Sequence, residues 1–239
     1  MLLLRCAARS ARARPLGASH GVTVTSSPAA NALAFSTRAE TTARNAADVR
    51  DLLRTRLSLT DAELDKVERF PPAGARAIVE PKLEWLQTRF DLDDVQLRKM
   101  VLTLPSLFNY SVEDNLAPKL DWMQTRLDLN DSGLRTLVLL FPPLLGCSLE
   151  DNIAPKLDWM QHEIGLSRAE LRDCVVTTSS LLGMSLANRY RPRLEACRAA
   201  GVDAKRVLSY ATRADEFFCE ITGIAPEALV AARESVLSV

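Results

Sequence analysis

Apolar residues fall at helical spacing in short bursts along this chain. Leu134, Leu137, Val138 and Phe141 stand at i, i+3, i+4 and i+7, one buried stripe of a helix. Leu83, Phe90, Leu97 and Leu104 are spaced by seven, as are Leu120, Leu127, Leu134 and Phe141. A seven-residue spacing alone would suggest a coiled coil. Asp91-Leu92-Asp93-Asp94 and the prolines interrupt every such run, so the pattern predicts pairs of short helices sharing one core.

The pattern repeats. Pro81-Lys82-Leu83-Glu84-Trp85 returns as Pro118-Lys119-Leu120-Asp121-Trp122, then as Pro155-Lys156-Leu157-Asp158-Trp159, and more loosely as Pro192-Arg193-Leu194-Glu195-Ala196. Each step is 37 residues. Ser111-Val112-Glu113-Asp114-Asn115 and Ser148-Leu149-Glu150-Asp151-Asn152 keep that register, as do Leu104-Pro105-Ser106-Leu107 and Phe141-Pro142-Pro143-Leu144. Each marker has a physical role. Ser111 and Ser148 suit helix N-caps, with carboxylates in the first turn beside the positive end of the dipole. Pro118 should kink or divide the long helix. Asp128 to Asp131 breaks the pattern and can cap a second helix, which Pro142 and Pro143 end. Residues 144 to 147 are expected to make a tight turn. The prediction is an all-α solenoid of stacked units over 50–239, clear at 81–191 and degenerate at both ends, as terminal repeats must be.

Composition refines this picture. Aromatic residues make up 5% and glycine is scarce, which favours helices. Arg5, Arg9, Arg12, Arg14 and Arg38 are the only charged residues in 1–39, so 40–239 holds 25 basic and 30 acidic side chains, a net charge of −5. The acid-free, Arg-, Ser- and Ala-rich segment 1–39 reads as a largely disordered targeting peptide, cleaved near Phe35 to Thr37. A mitochondrial address is favoured, with a plastid as the alternative. No run reaches 18 apolar residues, so no membrane insertion is expected. The five cysteines form no C-x-x-C pair and are expected to be reduced and buried.

The run Leu-Pro-Ser-Leu at 104–107, Ser-Val-Glu-Asp-Asn at 111–115 and Pro-Lys-Leu-Asp-Trp at 118–122, with its leucine heptads broken by prolines, resembles the mitochondrial transcription termination factor (mTERF) family. The resemblance covers roughly 50–230. It departs from the pattern where Ser179 or Ser180 replaces the turn proline and Ala196 replaces tryptophan. It implies a helical superhelix in mitochondria or plastids, and a role in transcription termination or regulation, RNA metabolism or ribosome assembly. The implied partners are organelle DNA or RNA, duplex DNA included, and ribosomal or transcription proteins.

No catalytic constellation, phosphate loop or clustered metal ligands can be read, so neither an enzyme nor a cofactor is expected. The candidate site is a set of basic columns. Lys82, Lys119, Lys156 and Arg193 form one row; Arg98, Arg135 and Arg172 a second; Arg56, Arg89 and Arg126 a third, which ends at Glu163. Rows of cations at the pitch of stacked helices could track a phosphate backbone. The Trp85, Trp122 and Trp159 column could stack bases but better fits packing between repeats. The alternative function is a protein-interaction scaffold in ribosome assembly.

Overall fold

A computed structural model describes residues 28–68 and 76–237. Most of the segment expected to be a targeting peptide, residues 1–27, lies outside them, while Pro28 to Ala39 is helical as the start of α1. A run rich in alanine, Ala29 to Ala47, favours that helix. The chain divides into two compact units, Met1–Thr42 and Ala43–Val239. The second contains the repeats.

Twelve α-helices occur among the described residues, with no strand. They are α1 (Pro28–Leu57), α2 (Asp61–Glu68), α3 (Arg76–Phe90), α4 (Asp94–Thr103), α5 (Ala117–Leu127), α6 (Asp131–Leu140), α7 (Ala154–His162), α8 (Arg168–Thr177), α9 (Arg191–Ala200), α10 (Arg206–Ser209), α11 (Asp215–Thr222) and α12 (Pro226–Leu237). Odd and even helices alternate as first and second helix of a unit as far as α10. A 3₁₀ turn closes the three clear units, at Pro105–Asn109, Pro142–Gly146 and Ser179–Gly183. The last forms although serine stands where its predecessors have proline, because leucines at the same register still pull it inward: Leu107, Leu144 and Leu181 are all buried.

The long first helix is divided as its proline requires. Ser111 caps the amide of Asp114, and Val112–Leu116 then makes one π-helical turn before α5. Leu116 N–H donates to Ser111 O and Ala117 N–H to Val112 O, five residues back. Pro118 follows at the start of α5, where its missing N–H costs little. Ser148 with Leu149–Ile153 and Ser185 with Leu186–Tyr190 repeat the device. At the other end, the first helices reverse through Ser58, Asp91, Asp128 and Gly165, all at positive φ (47° to 78°). The second helices then start from side-chain caps at Asp93, Asn130 and Ser167.

One continuous apolar core runs from Val49 to Ala232. Equivalent positions of each unit line it: Leu83, Leu120, Leu157 and Leu194 on the first helices, Leu97, Leu134, Leu171 and Leu208 on the second. Each fully buried leucine contributes roughly 1.5–3 kcal/mol. Trp159 is buried and stacks on Tyr190 at 5.3 Å, while Trp85 and Trp122 are half-buried against the core. Cys197 and Cys219 are buried and free, but Cys147 and Cys174 are only half-buried, on the rim rather than inside. The expectation of uniformly buried cysteines is corrected to that extent.

The C-terminal end is closed by a charge cluster. Arg193 is fully buried and pairs with Asp215 at 2.6 Å, and Arg233 of α12 holds the other carboxylate oxygen at 2.6 Å. Burial opposes ionisation of Asp215, but hydrogen bonds from Arg233 and Arg193 outweigh it and lower its pKa. The stability this carboxylate supplies is therefore present at neutral pH and lost as pH falls through its depressed value. Asp215→Ala strands the Arg193 charge inside the fold. A fully buried broken pair costs about 3–5 kcal/mol; Asp215 is one-third exposed, so on the order of 2 kcal/mol is expected. An unchanged urea midpoint for this variant would contradict that account.

Candidate nucleic-acid interface

The first basic row lies inside the molecule. Lys82, Lys119, Lys156 and Arg193 are 6%, 4%, 4% and 0% exposed. Each sits one residue after the proline of its first helix, on the stripe that also buries the following leucine. The lysines reach across their own unit to its 3₁₀ turn. Nζ of Lys82, Lys119 and Lys156 donates to Phe108 O, Leu145 O and Leu182 O at 2.7, 2.7 and 2.6 Å. Lys82 also donates to Tyr110 O, and Arg193 to Tyr210 O and Arg213 O. Desolvation lowers the pKa of all three lysines. Glu113 opposes this at Lys82, Cys147 and Glu150 at Lys119, and Cys147 at Lys156. These cations satisfy main-chain acceptors that the turns leave over. The expectation that this row faces phosphate is corrected: the row is an internal anchor.

The second row joins neighbouring units. Arg98 holds both carboxylate oxygens of Glu63 at 2.6 and 2.7 Å. Arg135 donates to Phe90 O and Asp91 O, the last carbonyls of α3 and its reversal. Arg172 lies between Asp173, at 3.0 Å, and Asp128, at 3.9 Å, where α5 reverses. A cation at a helix C-terminus also meets the negative end of its dipole.

The third row forms a ladder between consecutive first helices. Arg56 donates to Gln87, Arg89 to Gln124 and Arg126 to Gln161. Arg89 also meets Asp131, and Arg126 meets Asp158. At the next junction the polarity reverses. Glu163 stands in the arginine position and Arg198 in the glutamine position, and they pair at 2.8 Å. Lys205 pairs with Glu170 across the same junction at 2.6 Å. That hydrogen bond, with those from Ser167, holds the Glu170 pKa down to about 2.

All three rows are thus occupied within the fold, and they do not merge into one positive surface. Outside the three rows other cations are exposed, among them Arg44, Lys66, Lys99, Arg191, Arg206 and Arg213; Lys66 and Lys99 are equivalent positions, but Thr136 and Asp173 continue that row. Burial of Lys119 and Lys156 leaves the opposite sign on the α5 and α7 face. Glu113, Asp114, Asp121, Glu150, Asp151, Asp158 and Glu163 are all exposed there; half-buried Arg126 meets Asp158, and Arg198 of the next first helix meets Glu163. The sequence carried the signal for lysine burial: Val79, Lys82 and Leu86 fall at i, i+3 and i+7, on one stripe. Among the described residues, no three His, Cys, Asp or Glu side chains gather as a metal site, and no helix is long and apolar enough to cross a membrane.

Two outcomes follow for the anchors. Lys119→Met keeps the apolar stem but leaves Leu145 O without its donor, an expected loss of about 1–3 kcal/mol in urea unfolding. A neutral result would refute the anchor. At the reversed rung, Glu163→Arg alone sets two arginines together and should lower Tm by about 1–3 °C. Adding Arg198→Gln rebuilds the arginine–glutamine rung and should recover the loss; purely additive effects of the two changes would count against a ladder.

No curated protein matches this chain. The mTERF family model matches residues 77–217, from α3 into α11 and across every clear repeat. With well over half of its length matched and its stacked helical units in the same register, the chain belongs to the mTERF family, whose members are generally nucleic-acid-binding regulators of organelle gene expression.

Proposed function

We propose that this protein is a non-enzymatic factor of organelle gene expression that works as a helical scaffold, docking on proteins of the transcription or ribosome-assembly machinery. Mitochondrion is the favoured compartment, on the strength of the acid-free arginine segment 1–39. One observation carries the scaffold reading: the cations that would track a phosphate backbone are bonded within the fold. With its repeat lysines holding their own turns and its repeat arginines joining units, the solenoid has no repeating row of free cations to track a phosphate backbone. Residues 40–239 carry a net charge of −5, which further opposes association with bare duplex.

Direct binding of organelle DNA or RNA, with a role in transcription termination or RNA metabolism, is the second reading. Family membership favours it. The two separate in one experiment. Residues 43–239, which form the compact repeat unit, are titrated with organelle duplex DNA and with single-stranded RNA over a series of salt concentrations. The scaffold reading expects little binding even at low salt. Tight binding that weakens steeply with salt, with a log–log slope of several units, would overturn it in favour of the nucleic-acid reading.

A further inference from the structure

The cover at the C-terminal end of the stack has one side left over. Terminal units normally turn a polar face outward. Helix α11 does so only in part. Phe218 and Cys219 are buried, while Glu216, Phe217, Glu220 and Ile221 are exposed on the opposite side. Phe217 and Ile221 lie one helical turn apart, 39% and 40% exposed, and form an apolar row there. The other exposed large apolar side chains among the described residues, Ile78, Val95, Leu140 and Val230, stand singly on α3, α4, α6 and α12. Scattered single residues are ordinary on a soluble surface, and a row framed by rings and charges is not of that kind.

The row is braced from one side and bordered by both signs of charge. The Tyr210 ring meets Phe217 edge-on, with centroids 6.0 Å apart, and the Arg213 guanidinium stands over the same ring at 5.5 Å. Arg206 of α10 donates to Ile221 O at 3.3 Å. Both arginines are exposed, and they approach the row from α10 and the turn that follows it. Glu216 and Glu220 precede Phe217 and Ile221 by one residue, about 100° round the helix, so they line the other edge. None of these four charges is in an ion pair among the described residues, and the neighbouring Asp215 is already held by Arg193 and Arg233.

We infer that α11 pairs with α11 of a second copy of this chain. Two cations and two anions leave the patch without net charge, so it offers no strong attraction to a basic segment or to phosphate. It does match itself. A two-fold axis running along α11 lays the two apolar rows together and sets the arginine edge of each copy against the glutamate edge of the other. An aromatic ring with an arginine stacked on it is the kind of anchor in which such contacts concentrate their energy. One eight-residue helix covers less than the roughly 1,200–2,000 Å² that a stable interface buries, so the dimer is weak and concentration-dependent. The pairing does not depend on whether the protein is a scaffold or a nucleic-acid binder.

The test is sedimentation velocity of the full chain over a concentration series reaching hundreds of micromolar. The unaltered chain should pass from monomer to dimer. Phe217→Ser should weaken dimerisation about tenfold or more. Two edge variants probe the pairing itself: Arg206→Glu with Arg213→Glu, and Glu216→Arg with Glu220→Arg. Each alone places like charges across the two-fold axis and should stay monomeric. An equal mixture of the two restores opposite charges on both edges and should form the mixed dimer. All four of these positions are exposed, so the edge variants keep the test open if Phe217→Ser misfolds, with the helical circular dichroism spectrum as the check on folding. An unaltered chain that stays monomeric at every concentration would overturn the second copy as occupant. Dimerisation that no variant weakens would overturn α11 as the face, and a mixture that stays monomeric would overturn the two-fold pairing.

Discussion

A buried ammonium held against a main-chain carbonyl is the contact on which each unit depends. The 3₁₀ turn that closes a unit is short and strongly apolar, and it presents carbonyl groups to the interior. Leaving such a carbonyl unpaired inside a dry core costs about as much as a lost hydrogen bond. A lysine one residue beyond the proline of the same unit's first helix supplies the donor, 26 residues away in sequence. Its methylene stem lies in the core and its charge spreads over the oxygen it meets. Lys82, Lys119 and Lys156 repeat this geometry, and Arg193 performs it at the last unit with more hydrogen bonds. The contact ties the start of a unit to its end, so the tight turn and the long helix depend on each other.

That use of positive charge determines the surface. The arginines of the second helices reach back to the reversals of preceding first helices, and those at the ends of first helices bridge to the following glutamines. With the cations taken inward or shared between units, the carboxylates that cap the first helices and follow their lysines are left on the outside. The same residues that hold the solenoid together therefore make its middle first-helix face acidic. Like charge on that face opposes sequence-independent contact with phosphate there.

The last clear junction is built differently. Two ion pairs between exposed side chains cross it, Glu163 with Arg198 and Glu170 with Lys205, each with its cation on the later unit, beside the stacked Trp159 and Tyr190. Beyond it α10 has only four residues, and α12 folds back against α9 to cover the end of the stack. A terminal unit has no successor to shield its core, so the chain supplies the cover itself. The cluster of Arg193, Asp215 and Arg233 locks that cover in place.

The 37-residue register, the helix pairs, the serine caps and the division of the first helix at its proline were all legible in the sequence. Each follows from local rules: apolar periodicity, capping chemistry and the missing N–H of proline. The tight turn was expected close to where it forms, and it survives at Ser179 because burial of its leucines, rather than proline, drives it. The fate of the basic columns was not legible in the same way. A lysine after a proline reads as a solvated charge unless its place on the buried stripe is weighed. Even then its partner is a carbonyl 26 residues away that only the folded turn brings near. The cross-unit ladders depend likewise on how far one helix is displaced from the next. Sequence by itself determined the repeat and the family. Tertiary structure decided which charges are spent on the fold and which remain for a partner, because that division depends on distances across units that no local pattern encodes.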